Sequence, residues 1–128
     1  MQNSHSLTIA IVSYNSYDAV CKCLGEFLRT TKHPVVIVDN ASPDGSGEKL
    51  KHEFDNIELI QLPQNIGYGR AANRAIAIAR TPYLLLLNPD MLATGQGVDN
   101  LLSQMEKLGK AASRHACSFK GYRIQPQL

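Results

Sequence analysis

The stretch Tyr83-Leu84-Leu85-Leu86-Leu87-Asn88-Pro89-Asp90 constrains the fold more than any other. Four leucines run together and are followed at once by an amide, a proline and a carboxylate. A short apolar run bounded by Pro on each side predicts a strand buried on both faces, as in a parallel sheet. Pro89 has no N–H to give to a ladder, so the strand ends there. Asp90 is thereby delivered to the carboxyl edge of a buried strand, where open α/β sheets bind ligands.

The rest of the chain alternates strand and helix signals around that element. Leu7 to Ser13 and Val35 to Val38 are short, β-branched apolar runs and predict two more buried strands. Ile57 to Leu62 alternates apolar and polar residues, which predicts a half-exposed strand at a sheet edge. Ser16 or Asn15 is placed to cap a helix running to about Arg29, with Val20, Cys23, Leu24, Phe27 and Leu28 on one face. A short helix from Gly47 to about Phe54 follows turn-forming residues 41–47. A third helix, 69–80, carries a stripe of Ala72, Ala75, Ile76 and Ala79, small enough for close packing on a sheet. A fourth carries Val98, Leu101, Leu102, Met105 and Leu108 at helical spacing, with Gly109 as its stop. The pattern βαβαβαβα predicts a three-layer α/β/α fold with a mostly parallel sheet. Placing the apolar strands centrally and the alternating one at the edge gives the order 3-2-1-4. The switch point then falls between strands 1 and 4, and the ligand site with it.

Charge divides the chain in two. Residues 1–109 carry nine Lys/Arg against eleven Asp/Glu, whereas Lys110, Arg114, Lys120 and Arg123 stand in the last stretch with no acid. A nucleotide-sugar-binding α/β domain is expected over 1–109, and over 110–128 a basic tail of uncertain structure, either loose or docked without a legible pattern. Basic and aromatic residues do not interleave, which argues against nucleic acid as a partner. No apolar run approaches the roughly 20 residues that span a bilayer, and no signal-peptide pattern opens the chain. A cytoplasmic protein is expected, with peripheral contact at the inner face of the membrane left open. The three cysteines form neither a disulfide framework nor a zinc knuckle.

Three polar clusters converge on the predicted crevice: Ser13-Tyr14-Asn15, Asp39-Asn40 and Asn88-Pro89-Asp90. Carboxylates at strand ends suit Mg2+ or Mn2+ held through one or two side chains, with phosphate oxygens completing the shell. The alternative is that each Asp merely caps a helix or forms a turn, which accounts less well for Asp39 and Asp90 as a pair expected at adjoining strand ends. Asp39 is also placed to accept hydrogen bonds from a base or ribose, Asn88 suits a ribose hydroxyl, and Tyr14 can stack on a base or simply pack. The Gly67-Tyr68-Gly69-Arg70 loop opens a helix whose amides can meet an anion. Gly-x-Gly alone is weak, since the third glycine of the dinucleotide fingerprint is missing. Asn65 and Asn73 are expected as turn and helix-surface residues. No P-loop is present, and none of the four histidines falls at a strand's carboxyl end.

Four segments together carry a resemblance: Ile11-Val12-Ser13-Tyr14-Asn15, Val36 to Ser42, Asn65 to Asn73, and Leu85 to Asp90. In order and spacing they resemble family 2 glycosyltransferases of the GT-A fold, and the Asn-Pro-Asp form resembles the rhamnosyltransferase-like branch. The similarity covers residues 7 to about 108. It implies transfer of a sugar from a UDP- or dTDP-linked donor to an acceptor hydroxyl, saccharide or lipid-linked saccharide, with inversion. It implies that Asp90 binds the divalent metal on the diphosphate, and that Asn88 lies near the ribose. It further implies that Asp39 contacts uracil or thymine, that Ser13 and Tyr14 line the base, and that Asn40, Gly67 and Arg70 lie by the nucleotide. The family's acceptor half, with its carboxylate base, should follow residue 108 and is not legible there. The expectation is therefore an N-terminal nucleotide-binding half, truncated or frame-shifted near Lys110, that binds donor without an assigned catalytic base. Two rivals are a nucleotidyltransferase, disfavoured because no Gly-rich loop follows strand 1, and a non-catalytic module that self-pairs through an exposed strand 4 edge as a homodimer.

Overall fold

Local sequence becomes architecture mainly through the sheet. The computed structural model describes residues 6–108 throughout and residues 117–119 and 122–126 as backbone strands. The elements run β1 (Leu7–Ser13), α1 (Tyr17–Thr30), β2 (Val35–Asp39), α2 (Ser46–Glu53), β3 (Ile57–Gln61), α3 (Tyr68–Ile78), β4 (Tyr83–Leu87), α4 (Gly95–Leu108), β5 (Cys117–Phe119) and β6 (Tyr122–Pro126). The strand order is β3-β2-β1-β4-β6-β5. Strands β3, β2, β1 and β4 are parallel, as the sequence predicts, with Ser13 opposite Asp39 and Asp39 opposite Gln61.

Connection handedness explains where the helices go. From β1 through β3 the chain steps one way across the sheet, and right-handed crossovers put α1 and α2 on one face. The return from β3 to β4 reverses the step, so α3 lands on the other. Two cores result. Ile9, Ile11, Ile37, Leu85 and Leu87 pack with α1, α2 and α4. Ala10, Val12, Val36, Val38 and Leu84 pack with Ala71, Ala72 and Ala75 of α3. The alanine stripe lets α3 approach the sheet closely. All seven residues of β1 are buried, while β3 is only partly so, as its alternation foretells.

One expectation is corrected. Strand β4 is not an edge: β6 pairs antiparallel with it, Tyr122 opposite Leu87 and Pro126 opposite Tyr83. The exposed β4 edge on which self-pairing rested is therefore covered. Beyond residue 110, where the sequence leaves a loose or a docked tail open, the hairpin β5–β6 joins the same sheet. Its first strand is only three residues long and neither strand has a β-branched run, which is why periodicity missed it. The proposed stop at Gly109, like most of the 110–128 tail, lies outside the described residues.

Candidate functional site

An open pocket of about 560 Å³ lies at the carboxyl ends of β1 and β4, at the predicted switch point. That size suits a small-molecule ligand. Its floor and α1 wall are Val12, Tyr14, Ser16 and Ala19. Asn40 comes from the end of β2, and Asn65 and Tyr68 from the entrance to α3. Asn88, Pro89 and Asp90 close it after β4.

The loops on the β2 side are tied to one another. Asp39 is fully buried, and its carboxylate accepts the Ser42 N–H at 2.9 Å, the Ser42 hydroxyl at 2.7 Å and the Gln61 amide at 2.9 Å. The Ser42 hydroxyl in turn accepts the Asn15 N–H at 2.8 Å, linking the β1 loop to the β2 loop. Asn40 Oδ1 accepts the Ile66 N–H at 2.9 Å, and Asn65 Oδ1 accepts the Gly67 N–H at 2.9 Å. Asn15 and Ala41 hold positive φ angles of 50° and 64°. For Ala41 this costs about 1 kcal/mol, and the Ser42 bonds to Asp39 hold the loop that imposes it. Gly47 of α2 rests on this layer: a Cβ there would lie 3.0 Å from Asp39 Cβ and Cγ and collide with Gln61 Oε1.

Helix capping differs from expectation in a way that adds to these ties. Ser16 makes no side-chain cap bond; its hydroxyl donates to the Tyr14 carbonyl at 2.8 Å. The Tyr17 N–H at the start of α1 is met by Ser46 Oγ at 3.3 Å. That hydroxyl donates to Asp44 at 2.6 Å, and Asp44 also accepts the Ser46 N–H at 2.9 Å. These bonds, the hydroxyl's foremost, hold the Asp44 carboxyl below its ordinary range. Behind the pocket, bonds from Arg29 and then Tyr17 lower Glu53, and the bond to Glu53 above all pushes Tyr17 up to about 12. Burial raises the Cys21 thiol. None of these four groups lines the pocket.

The β4 side is simpler. Asn88 to Met91 forms a β-turn closed by Met91 N–H to the Asn88 carbonyl at 3.1 Å. Pro89 occupies the position that such turns favour for it. Asp90 is exposed near the tip, and no described residue pairs with it.

Of the expected site residues, Tyr14, Asn40, Asn88 and Asp90 line the pocket; Ser13, Asp39, Gly67 and Arg70 do not. Ser13 Oγ is buried with no hydrogen-bond partner among the described residues. The Gly67 N–H is spent on Asn65, and Arg70 is solvent-exposed. Asp39 and Asp90 are not at adjoining strand ends, because β1 lies between β2 and β4. Asn65, expected as a turn residue, and Tyr68, expected only as part of the Gly67–Arg70 loop, also line the pocket. The signal was their place at the start of the helix that returns to β4.

A divalent cation fits this donor set only in part. No cluster of three or more His, Cys, Asp or Glu gathers among the described residues. One free carboxylate, Asp90, is enough for an ion whose other ligands are phosphate oxygens and water.

A parallel sheet ordered 3-2-1-4, with its crevice at the β1–β4 carboxyl ends and an Asn-Pro-Asp turn on its lip, defines the GT-A class of fold. The profile of Glycosyl transferase family 2 matches residues 8–127, and the chain belongs to that family. An N-acetylglucosaminyl-diphospho-decaprenol L-rhamnosyltransferase of Mycobacterium tuberculosis is 27% identical over 120 residues, covering 84% of this chain and 39% of that protein. Among solved structures, the mannosyltransferase PcManGT from Pyrobaculum calidifontis, in complex with GDP-Man and Mn2+, has a TM-score of 0.68 at 20% identity, over 84% of this chain and 34% of that one. S. aureus TarS 1–349 in complex with UDP-GlcNAc has a TM-score of 0.66 at 20% identity, over 87% of this chain and 32% of that one. The chain thus spans between about a third and two fifths of these proteins.

Proposed function

We propose that this chain is the nucleotide-sugar-binding part of an inverting glycosyltransferase, taking a UDP- or dTDP-linked donor. The observation that carries this is the pocket at the β1–β4 switch point with Asp90, unpaired among the described residues, on its lip. Relatives that carry nucleotide sugars, one of them with Mn2+, support it. Asp90 would hold Mg2+ or Mn2+, which when bound neutralises charge on a leaving diphosphate. Tyr14 offers an aromatic face to a base, and Asn88 a neutral amide to a ribose hydroxyl. Asp39 serves as a positioning residue that fixes the loop bearing Asn40. Asp90 is the sole carboxylate lining the pocket among the described residues, so no described residue is assigned as the acceptor's base. The acceptor is proposed to be a saccharide or lipid-linked saccharide, as the name of the mycobacterial relative suggests. No helix among the described residues is long and apolar enough to cross a membrane.

Calorimetric titration with UDP and dTDP, with and without Mn2+, tests this. Metal-dependent binding of at least one nucleotide is expected. Asp90→Asn should weaken it by about tenfold or more while moving stability by no more than about 0.5 kcal/mol, since the side chain is exposed and has no partner among the described residues. Absence of binding under every condition would overturn the proposal.

A further inference from the structure

The two faces of the sheet differ in charge. On one, α1, α2 and α4 mix both signs, Asp18 with Lys22, Glu48 with Lys49 and Glu106 with Lys107. On the other, α3 is the sole helix among the described residues. The sequence from Leu59 to Pro89 holds Arg70, Arg74 and Arg80 with no Asp, Glu or Lys. Ala71, Ala72 and Ala75 turn one side of α3 onto the sheet. The opposite side is exposed. Arg70, Arg74 and Ile78 follow one another at i, i+4 and i+8, a single row along that outer surface. The side chains flanking the row are Asn73 and Ala77, both short, and Arg80 is exposed just past the helix end. Ion pairs among the described residues are Arg29–Glu53 and His33–Asp99, so no described carboxylate neutralises the row. Glu58, opposite Val36 on the edge strand β3, shares this face of the sheet and is not paired with it.

We propose that the outer surface of α3 docks on a bilayer bearing anionic lipid headgroups. Three unneutralised guanidiniums complement a negative surface, and each can meet a phosphate with two parallel N–H bonds. A bilayer fits the row better than a nucleic-acid strand does. No aromatic side chain stands in it for bases to stack on, and it ends on an aliphatic residue, Ile78, that is 37% exposed. Arginine stems lie along an apolar boundary while their heads stay at the phosphates. The short flanking side chains of Asn73 and Ala77 leave the surface flat enough for close approach. Attraction of this kind falls off within a Debye length, so the docking is reversible and salt-sensitive. Tyr68, which lines the pocket, opens the same helix. Docking along α3 therefore sets one rim of the pocket beside the headgroups. The inference goes beyond the nucleotide-binding proposal and stands without it.

The test is cosedimentation of the full chain with vesicles of phosphatidylcholine alone and of phosphatidylcholine mixed with phosphatidylglycerol, at low and at high salt. The wild type is compared with the double variants Arg74→Gln/Arg80→Gln and Lys22→Gln/Lys107→Gln. The second pair removes the same charge from exposed positions on α1 and α4, across the sheet. The wild type should bind the anionic vesicles, leave them at high salt and ignore the neutral ones. Each arginine should contribute about fivefold, so the α3 pair should lower the partition about tenfold or more. The control pair should lower it about twofold at most, its charges being held away from the surface. Thermal denaturation checks that both variants fold; Arg74→Gln and Arg80→Gln taken singly replace the pair if it does not. Failure of the wild type to bind anionic vesicles overturns the proposal. Equal losses in the two pairs also overturn it, by making net charge the cause. An undiminished partition of the α3 variant does so too, by assigning the binding to other basic residues such as those in 110–128. Tighter binding of an RNA oligonucleotide than of vesicles, lost with the same arginines, would overturn it in favour of nucleic acid.

Discussion

The two lips of the crevice are held in different ways. On the β2 side, Asn15, Ser42, Asp39, Gln61, Asn40, Ile66, Asn65 and Gly67 form a run of bonds that joins three strand-end loops. On the β4 side, the Asn88–Met91 turn is closed by one backbone bond, and Asp90 touches no described partner. The first lip is ordered before any ligand arrives, so binding there does not pay for loop ordering. The second carries an exposed charge that contributes little to stability and remains available to a cation. Loops ordered by buried polar bonds and an exposed carboxylate thus stand on opposite sides of one pocket. The difference separates residues that can be altered without unfolding from those that cannot.

The sharpest way to break this contrast is Asp39→Ala. The Ser42 N–H, the Ser42 hydroxyl and the Gln61 amide would all lose a buried acceptor. Each orphaned donor costs about 1–3 kcal/mol, and the set should cost about 3 kcal/mol or more. Urea unfolding monitored by circular dichroism reads this directly. A loss below about 1 kcal/mol would mean that the β2 lip is no more fixed than the Asp90 turn. Next in size is Gly47→Ala, which ordinary helix propensity would favour. Here the added methyl meets Asp39 and Gln61, so a loss of about 1–3 kcal/mol is expected in the same assay. Stabilisation instead would show that the polar layer yields to accommodate a methyl.

Most of the parallel sheet was legible because burial on both faces leaves an unmixed apolar run, as in β1, β2 and β4. The place of the pocket followed from strand order alone. What stayed hidden has specific causes. Asp39 reads as a free carboxylate at a strand end, and only the register shows Gln61 beside it. Ser16 looks like the cap of α1, yet the cap comes from Ser46 across a distance no local pattern records. Asn65 looks like a turn residue and is one, but its turn faces the pocket. The hairpin β5–β6 escaped because its strands owe their place to pairing with β4, not to their own periodicity.

The smallest effect should come from Asp44, where the ties end. Its carboxylate holds Ser46, and through the Ser46 hydroxyl the first N–H of α1. Asp44→Asn preserves an oxygen for both Ser46 bonds and removes only the charge. The folded carboxyl sits below its ordinary range, chiefly because of the Ser46 hydroxyl. A depressed folded pKa gives a contribution that is present above the unfolded value and lost as pH falls through the folded one. The urea midpoint of the wild type should therefore exceed that of Asp44→Asn slightly at neutral pH. The gap should close on acidification below roughly pH 4, the ordinary value for aspartate. A gap that persists unchanged in acid would assign the effect to the shape of the side chain, and would place the charge outside the bonding that fixes the β2 lip.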